Sequence, residues 1–172
     1  MISVILETDR LILDELVAGR DELFIFQLLN EPGFLENIGD REIYDLDAAR
    51  GYIETRQRRS YRENGFGLWR VTSRNSGASL GLCGLVRRDG LAYPDIGYAF
   101  LETEWSKGYA QEAAAATIAL ARDKLGLKIL AAITKPENKA SQRVLEKIGF
   151  QFQGMIALPG HDGPSTYFTI AL

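Results

Sequence analysis

Two rhythms of apolar residues run along the chain. Short β-branched or alternating runs bounded by turn residues predict strands, and apolar positions three or four apart predict helices. The run Arg10-Leu11-Ile12-Leu13 predicts a first strand over Arg10 to Leu16. Asp21 stands where a cap belongs, before a helix from Glu22 to about Asn30 that Pro32-Gly33 ends. Phe34 to Tyr44 reads as loop, with a turn at Gly39-Asp40. Asp45 or Asp47 starts a second helix that reaches about Asn64 and stops at Gly65. Three strands follow, Phe66 to Thr72, Leu80 to Arg88 and Tyr93 to Leu101, parted by Ser73-Arg74-Asn75-Ser76-Gly77 and by Asp89-Gly90. The alanine-rich run Ala113 to Leu125 is helical by propensity. Leu127 to Thr134 then reads as a buried strand, and Lys139 to Ile148 as a helix with Asn138 as cap and Gly149 as stop. Phe150 to Ala157 and Thr166 to Leu172 close the chain as a strand pair around the loop Pro159 to Pro164.

A mainly hairpin-connected sheet whose faces are covered by helices is an α+β architecture. The strand–helix–strand order from Tyr93 to Thr134 makes its two strands candidate parallel neighbours. The turn between them and the helix, Glu102-Thr103-Glu104-Trp105-Ser106-Lys107-Gly108-Tyr109-Ala110-Gln111-Glu112, then lies at the carboxyl ends of parallel strands, where ligands bind in such sheets. The first N–H groups of a helix have no internal partner and carry partial positive charge. Small residues at Gly108 and Ala110 let a phosphate come close to them, and Lys107 adds a cation. An ordinary strand-to-helix turn with a solvated lysine has the same composition.

Composition narrows the classes. A chain of 172 residues is long enough for one domain, 1–172, with a proper core. Hydrophobic residues make up 46% and charged residues 25%, as in soluble globular proteins, and the net charge of −3 supplies no basic field for nucleic acid. No apolar run is long enough to span a bilayer, and Met1-Ile2-Ser3-Val4 carries no basic-then-apolar leader signal, so the expected setting is cytoplasmic and off the membrane. The single Cys83 cannot form an internal disulfide and reads as buried packing. Arg56, Arg58, Arg59 and Arg62 on the second helix read as a solvated face rather than a phosphate or acidic-peptide site. Neither Gly-x-x-x-x-Gly-Lys nor Gly-x-Gly-x-x-Gly occurs, which argues against a GTPase or a dinucleotide enzyme.

The order Ile96-Gly97-Tyr98, Trp105-x-Lys107-Gly108-Tyr109-Ala110-x-Glu112-Ala113, then Pro136-Glu137-Asn138-x-x-Ser141-x-x-Val144-Leu145-Glu146-x-x-Gly149-Phe150 resembles the GNAT superfamily of N-acetyltransferases. The opening Glu7-Thr8-x-Arg10-Leu11-x-Leu13 resembles the branch that acetylates N-terminal amines of ribosomal proteins. Gly108 and Ala110 match the superfamily loop Gln/Arg-x-x-Gly-x-Gly/Ala, whereas Trp105 replaces its Gln/Arg. The resemblance implies a GNAT-like, mostly antiparallel twisted sheet with helices on both faces and a parallel strand pair splayed at an acetyl-CoA site. It implies acetyl-CoA as donor and a primary amine as acceptor, possibly a protein N-terminus. By the same resemblance the strand Tyr93 to Leu101 bulges near Phe100-Leu101, and backbone groups of Phe100 and Leu101 pair with the pantetheine arm. The N–H groups of Lys107, Gly108, Tyr109 and Ala110 hold the pyrophosphate, Asn138 contacts the cofactor besides capping its helix, and Ser141 stands where the departing thiolate is stabilised. The segments 34–44 and 157–165 frame the acceptor.

The attacking amine has to be neutral. An α-amine of pKa about 8 is roughly one-tenth neutral at pH 7, and a lysine of pKa about 10.4 only about one part in 2,000. The candidate bases are carboxylates: Asp95 on the third strand, Glu102 just beyond it, and Glu112, whose simpler role is to complement the helix dipole. His161, the sole histidine, lines the acceptor segments or is a solvated loop residue. A site without an obvious strong base suits an α-amine or a small amine better than lysine. A small-amine (antibiotic or polyamine) acetyltransferase and a non-catalytic acyl-CoA-binding sensor or subunit fit the same motifs. No metal is expected, and a monomer or a homodimer is.

Overall fold

Alternating apolar residues lay down one eight-stranded sheet in the computed structural model, which describes residues 3–172. Met1 and Ile2, part of the leader reading, lie outside the described residues. The strands are β1 (Val4–Glu7), β2 (Leu11–Asp14), β3 (Leu68–Ser73), β4 (Ser79–Val86), β5 (Asp95–Phe100), β6 (Ile129–Thr134), β7 (Gln151–Ile156) and β8 (Ser165–Ala171). Their order across the sheet is β1-β2-β3-β4-β5-β6-β8-β7, antiparallel throughout except where β5 meets β6. The expected α+β sheet with one parallel pair is the fold observed.

Helices cover both faces. α5 (Tyr109–Asp123) buries Ala113, Ala114, Thr117, Ile118 and Ala121, whose small side chains let the helix lie close to β4 and β5. With α6 (Lys139–Lys147) it shares a core that includes Cys83, Leu85, Ile96, Phe100 and Leu145. A second core joins α1 (Glu22–Leu29), α2 (Pro32–Asn37) and α3 (Leu46–Tyr52) to the sheet through Leu82 and Leu101. A π-helical stretch, Ile53–Arg58, links α3 to α4 (Arg59–Asn64), which ends on Gly65 at φ 76 as its glycine predicts.

Three local expectations change, and the choice between Asp45 and Asp47 falls to the first. The first apolar run makes two strands, with β1 added and the turn closed by Thr8 N–H on Leu11 O at 2.9 Å. Pro32-Gly33 does not end a helix into loop; it begins α2, because proline fits the first helical turn and Gly33 N–H finds the Glu102 carboxylate at 2.6 Å. Asp45, not Asp47, caps α3 by accepting from Ala48 N–H at 2.7 Å. Asp21 sits at the start of α1 without capping it.

Asp21 serves instead in a buried four-charge cluster. Arg70 on β3 grips Asp14 on β2 through both nitrogens at 2.9 and 2.7 Å and reaches Asp21 at 3.3 Å. Arg20 bonds Asp21 at 2.9 and 2.7 Å and Asp14 at 3.3 Å, and Asp21 also accepts from Val17 N–H. Two cations meet two anions, so the cluster is neutral and ties α1 to the sheet. Truncating one partner leaves a buried carboxylate uncompensated, at a cost of about 3–5 kcal/mol. Arg70→Met is expected to lower unfolding free energy by about that amount in a urea titration; a loss under about 1 kcal/mol would mean that the cluster is solvated.

Candidate active site

β5 and β6 share a single bridge, Asp95 opposite Ala131, with Ala131 N–H donating to Pro94 O at 2.9 Å. Above it the strands part. The opening is a cavity of about 840 Å³ lined from β5, β6, the start of α5, α6 and the π-helical stretch. The register of β4 with β5 is unbroken from Val86–Asp95 to Gly81–Phe100, so the expected bulge near Phe100-Leu101 is absent and the splay comes from the parallel pair alone.

Ladder geometry decides which backbone groups face the opening. Leu101 N–H donates to Leu80 O at 2.9 Å, so the odd-numbered residues of β5 turn their N–H and C=O toward β4 and the even-numbered ones toward β6. Leu101 C=O is taken as well, by Glu104 N–H at 2.8 Å. Phe100 C=O accepts from the Trp105 indole at 2.8 Å. The expected pair Phe100 and Leu101 is therefore corrected: past the bridge, the groups that this register turns toward the opening, beyond the paired part of the strand, are C=O of Ile96, N–H and C=O of Tyr98 and N–H of Phe100.

The loop from β5 to α5 is held open by the chain's beginning. A 3₁₀ turn at Glu102–Glu104 leads to Gly108, the left-handed N-cap of α5 at φ 82, with no side-chain cap bond. The first helical bond is Glu112 N–H on Gly108 O, so the amides of Gly108, Tyr109, Ala110 and Gln111 precede any internal acceptor. Arg10 braces the turn: its Nη1 donates to Lys107 O at 2.9 Å, its guanidinium lies 4.6 Å over the Tyr109 ring, and its Nε meets Glu112 at 2.6 Å. Glu112 also accepts from Arg10 N–H at 3.0 Å and from the Thr8 hydroxyl at 2.6 Å. Burial raises the pKa of Glu112, but the bonds from Thr8 and Arg10 outweigh it and hold the net value below the usual range. Its role is to anchor the loop. The Lys107 ammonium pairs with Glu104 at 2.9 Å, and the Tyr109 ring stacks on Phe100 at 6.4 Å as packing.

Side chains on β5 alternate between faces. Tyr98 reaches α6, where its hydroxyl lies 2.9 Å from Ser141 Oγ and donates to Ser141 O at 3.1 Å. Burial pushes the Tyr98 phenol up to about 12, with Ser141 pulling the other way. Asn138 Oδ1 accepts from Ser141 N–H at 3.2 Å, the expected cap, and Asn138 lines the cavity. On the opposite face Asp95, 1% exposed, receives both of its bonds from Arg88 Nε, at 3.1 and 3.0 Å. Burial pushes its carboxyl up to about 6 against the pull of Arg88. On the same face a Cβ at Gly97 would lie 3.2 Å from Leu68 Cδ2, so the glycine lets Leu68 pack close to β5.

Asp95, Phe100, Gly108, Tyr109, Ala110, Asn138 and Ser141 thus meet at one cavity. Leu101, Glu102 and Lys107 do not line it. Glu102, expected as a possible base, is engaged at the start of α2. Cys83 is buried beside Thr117, with its thiol pushed up to about 12, as packing predicts. His161 lines the cavity, and burial, Arg88 and Arg41 hold its pKa down. Tyr98 is a cavity side chain bonded to Ser141 that residue-by-residue reading does not single out; its signal is its even register on a strand whose odd positions hold Asp95 and Gly97.

A family model for an acetyltransferase (GNAT) domain matches residues 10–151. The chain belongs to the GNAT family of acetyltransferases. It is 35% identical to the uncharacterized protein YkkB of Bacillus subtilis (strain 168), over 88% of this chain and 87% of that one. Its fold matches the solved acetyltransferase of Agrobacterium tumefaciens str. C58 with a TM-score of 0.82, at 24% identity, over 99% of this chain and 95% of that one. It also matches RimL, a ribosomal L7/L12 alpha-N-protein acetyltransferase, with a TM-score of 0.83 at 13% identity over 100% and 96% of the chains. RimL solved in complex with coenzyme A matches at 0.74 and 12%, over 99% and 98%. Among the described residues no helix is long and apolar enough to cross a membrane, and no cluster of three or more potential ligand side chains could hold a metal.

Removing the charge of Glu112 tests the brace. Glu112→Gln is expected to lower stability by about 1 kcal/mol, the worth of a partly exposed charge-assisted bond, and to speed amide exchange at Tyr109–Gln111. Because the folded-state pKa is depressed, wild-type Glu112 contributes above the unfolded carboxylate range, and the difference between the proteins should vanish as pH falls through its folded pKa.

Proposed function

We propose that this protein transfers an acetyl group from acetyl-CoA to a primary amine by direct attack in a ternary complex. The observation that carries the reading is the splayed β5–β6 pair. It leads from the free amides at the start of α5, past the unpartnered backbone of Tyr98 and Phe100, to the Tyr98–Ser141 hydroxyl pair. RimL, of the same fold, has been solved with coenzyme A, which supports the same ligand here.

When bound, acetyl-CoA supplies the thioester that the amine attacks. The amides of Gly108, Tyr109 and Ala110 meet the pyrophosphate, aided by the helix dipole. Tyr98 N–H and C=O and Phe100 N–H pair with the amide groups of the pantetheine arm as a strand would, a correction of the earlier Phe100–Leu101 assignment. Tyr98 keeps its proton at neutral pH and can give it up to a departing thiolate, while Ser141 fixes the direction of the phenol. Asp95 is the proton acceptor on the amine side, reached through water. A carboxyl near 6 is ionised at pH 7 yet far more basic than an exposed aspartate. The acceptor that fits this acid–base pair best is an α-amine, such as a protein N-terminus, or a small amine of similar basicity.

Two experiments test the reading. Gly108→Glu places a side chain where φ is 82 and a Cβ lies 3.3 Å from Arg10, and it sets a carboxylate against the phosphate site. Calorimetric titration with coenzyme A should show at least a 100-fold loss of affinity; unchanged affinity would sink the loop assignment. The second is the pH dependence of thiol release. Activity should fall as pH drops through about 6, as Asp95 takes up its proton. Arg88→Gln removes a partner that lowers this pKa and should move the acidic limb upward, and Asp95→Asn should abolish the limb together with most of kcat. An unshifted limb in Asp95→Asn, with His161→Asn removing it, would transfer the base role to His161.

A further inference from the structure

Beyond the acetyl-transfer machinery, the amine side of the cavity opens into a recess of about 340 Å³. Four separate segments build it. Arg41 comes from the loop between α2 and α3, Arg56 from the π-helical stretch, Arg87 and Arg88 from the end of β4, and His161 from the loop between β7 and β8. Arg41, Arg56, Arg87, Arg88 and His161 line both the recess and the main cavity, so the two are continuous.

Its charge is unbalanced. Four guanidinium groups line it against one carboxylate, Asp89, and beneath it Asp95 is already engaged by Arg88. Arg41 is half-buried, and the titratable groups that act on it are the Tyr52 phenol, Arg56 and Arg88; none is a carboxylate. Burial and the two neighbouring cations push its pKa down. Arg56 lies 6.0 Å over the Tyr52 ring rather than on an acid. Elsewhere on the same helical run Arg58 pairs with Glu15 and Glu54 and Arg59 with Glu63, while Arg62 points to solvent away from the recess. Arg56 differs in facing the Tyr52 ring and the recess instead of a carboxylate. Like charges held together in partly desolvated surroundings repel, and a planar anion between them relieves the repulsion through charge-assisted paired bonds.

The recess is far from the phosphate loop. It lies at the Asp95 end of β5 and Gly108 lies beyond the other end, so five residue steps, roughly 17 Å at about 3.3 Å each, separate the two ends of the strand. The pyrophosphate assigned to the α5 amides cannot serve as its counter-ion.

We infer that the recess formed by Arg41, Arg56 and Arg88 binds a carboxylate carried by the acceptor, so that the substrate is an amine bearing an acidic group rather than a polycation. The inference rests on the acetyltransferase reading and narrows it: polyamines and aminoglycosides are rejected by charge, while amino acids, or peptides with an acidic residue near a free N-terminus, are favoured.

The test compares acceptors differing by one charge. Thiol release from acetyl-CoA is measured with peptides carrying Asp or Glu at the second position, their Asn or Gln counterparts, free amino acids and their carboxamides, a phosphoserine peptide, and spermidine. At least a tenfold preference in kcat/KM for a carboxylate over its amide is expected, falling to about unity in Arg41→Gln and in Arg56→Gln. Equal rates for acid and amide, or faster turnover of spermidine, would overturn the inference while leaving acetyl transfer intact. A preference for the phosphoserine peptide over both carboxylate classes would overturn the carboxylate assignment. A binding readout separates the two levels. Titration with succinate, followed by the side-chain Nε–H signals of the arginines, should shift the Arg41 and Arg56 signals in the wild type, with the shift of the remaining arginine reduced in each variant. Succinate binding without turnover of any acceptor would count against the enzyme reading and leave the recess standing. No shift in the wild type would overturn the recess.

Discussion

Everything at the site depends on two parallel strands that hold together at one place only. β5 and β6 are joined through α5, and their hydrogen bonding stops at the Asp95–Ala131 bridge. An opened ladder leaves backbone groups bare, and bare buried groups are costly. The fold removes part of that cost itself: the Trp105 indole covers Phe100 C=O, while the backbone C=O of Leu80 and N–H of Glu104 take both groups of Leu101. What remains is the C=O of Ile96, both backbone groups of Tyr98, and the N–H of Phe100. A ligand able to mimic a strand edge is thereby offered a short, defined stretch. The departure at Trp105 from the usual loop residue has this physical content: an aromatic donor closes the upper end of the gap and, by filling the space over Gly33, ties the loop to α2.

Strand alternation then sorts the chemistry by face. Tyr98 looks toward α6 and the hydroxyl of Ser141; Asp95 looks the other way, toward Arg88 and the recess. A buried phenol and a buried carboxyl are held three residues apart on one strand, on opposite faces of the sheet. Burial drives both values upward, and in the proposed reaction the two shifts have opposite uses: at about 12 the phenol stays a donor, and at about 6 the carboxyl is a usable acceptor.

Much of this was legible in the sequence, and the failures have physical causes. Gly108, Asn138, Ser141 and Asp95 could be placed because caps, turns and strand alternation are local rules. Gly65 and Gly149 ended their helices as glycines do. Asp21 obeyed the same rule in composition but not in fact, because Arg20 and Arg70 claimed its oxygens from 1 and 49 residues away. Pro32-Gly33 looked like a stop because Glu102, 69 residues on from Gly33, is what satisfies the new helix start. Thr8 and Arg10 gave a family resemblance without a reason; the reason is Glu112, more than 100 residues distant. Arg56 shares its composition with Arg58 and Arg59 but not their partners, because the Tyr52 ring and the recess that receive it are set by tertiary packing and not by local spacing.

The recess and the acid–base pair support each other within the proposed reaction. A carboxyl near 6 must take a proton from an ammonium of pKa about 8 in an α-amine, a gap of about 2 units or 2.7 kcal/mol, against about 4.4 units or 6 kcal/mol for a lysine. The guanidinium groups of Arg41, Arg56 and Arg88 act on that gap. Cations beside the amine disfavour its charged form and lower its pKa, as they lower that of His161 in the same loop cluster. An acidic group on the acceptor would occupy the arginines and weaken this field, but it would also hold the amine at a fixed distance from Asp95. The net positive recess, with four guanidiniums against one carboxylate on its walls, leaves field to spare after one carboxylate is bound. One bound anion and one neutral amine is the combination that this charge count and this buried aspartate accommodate together.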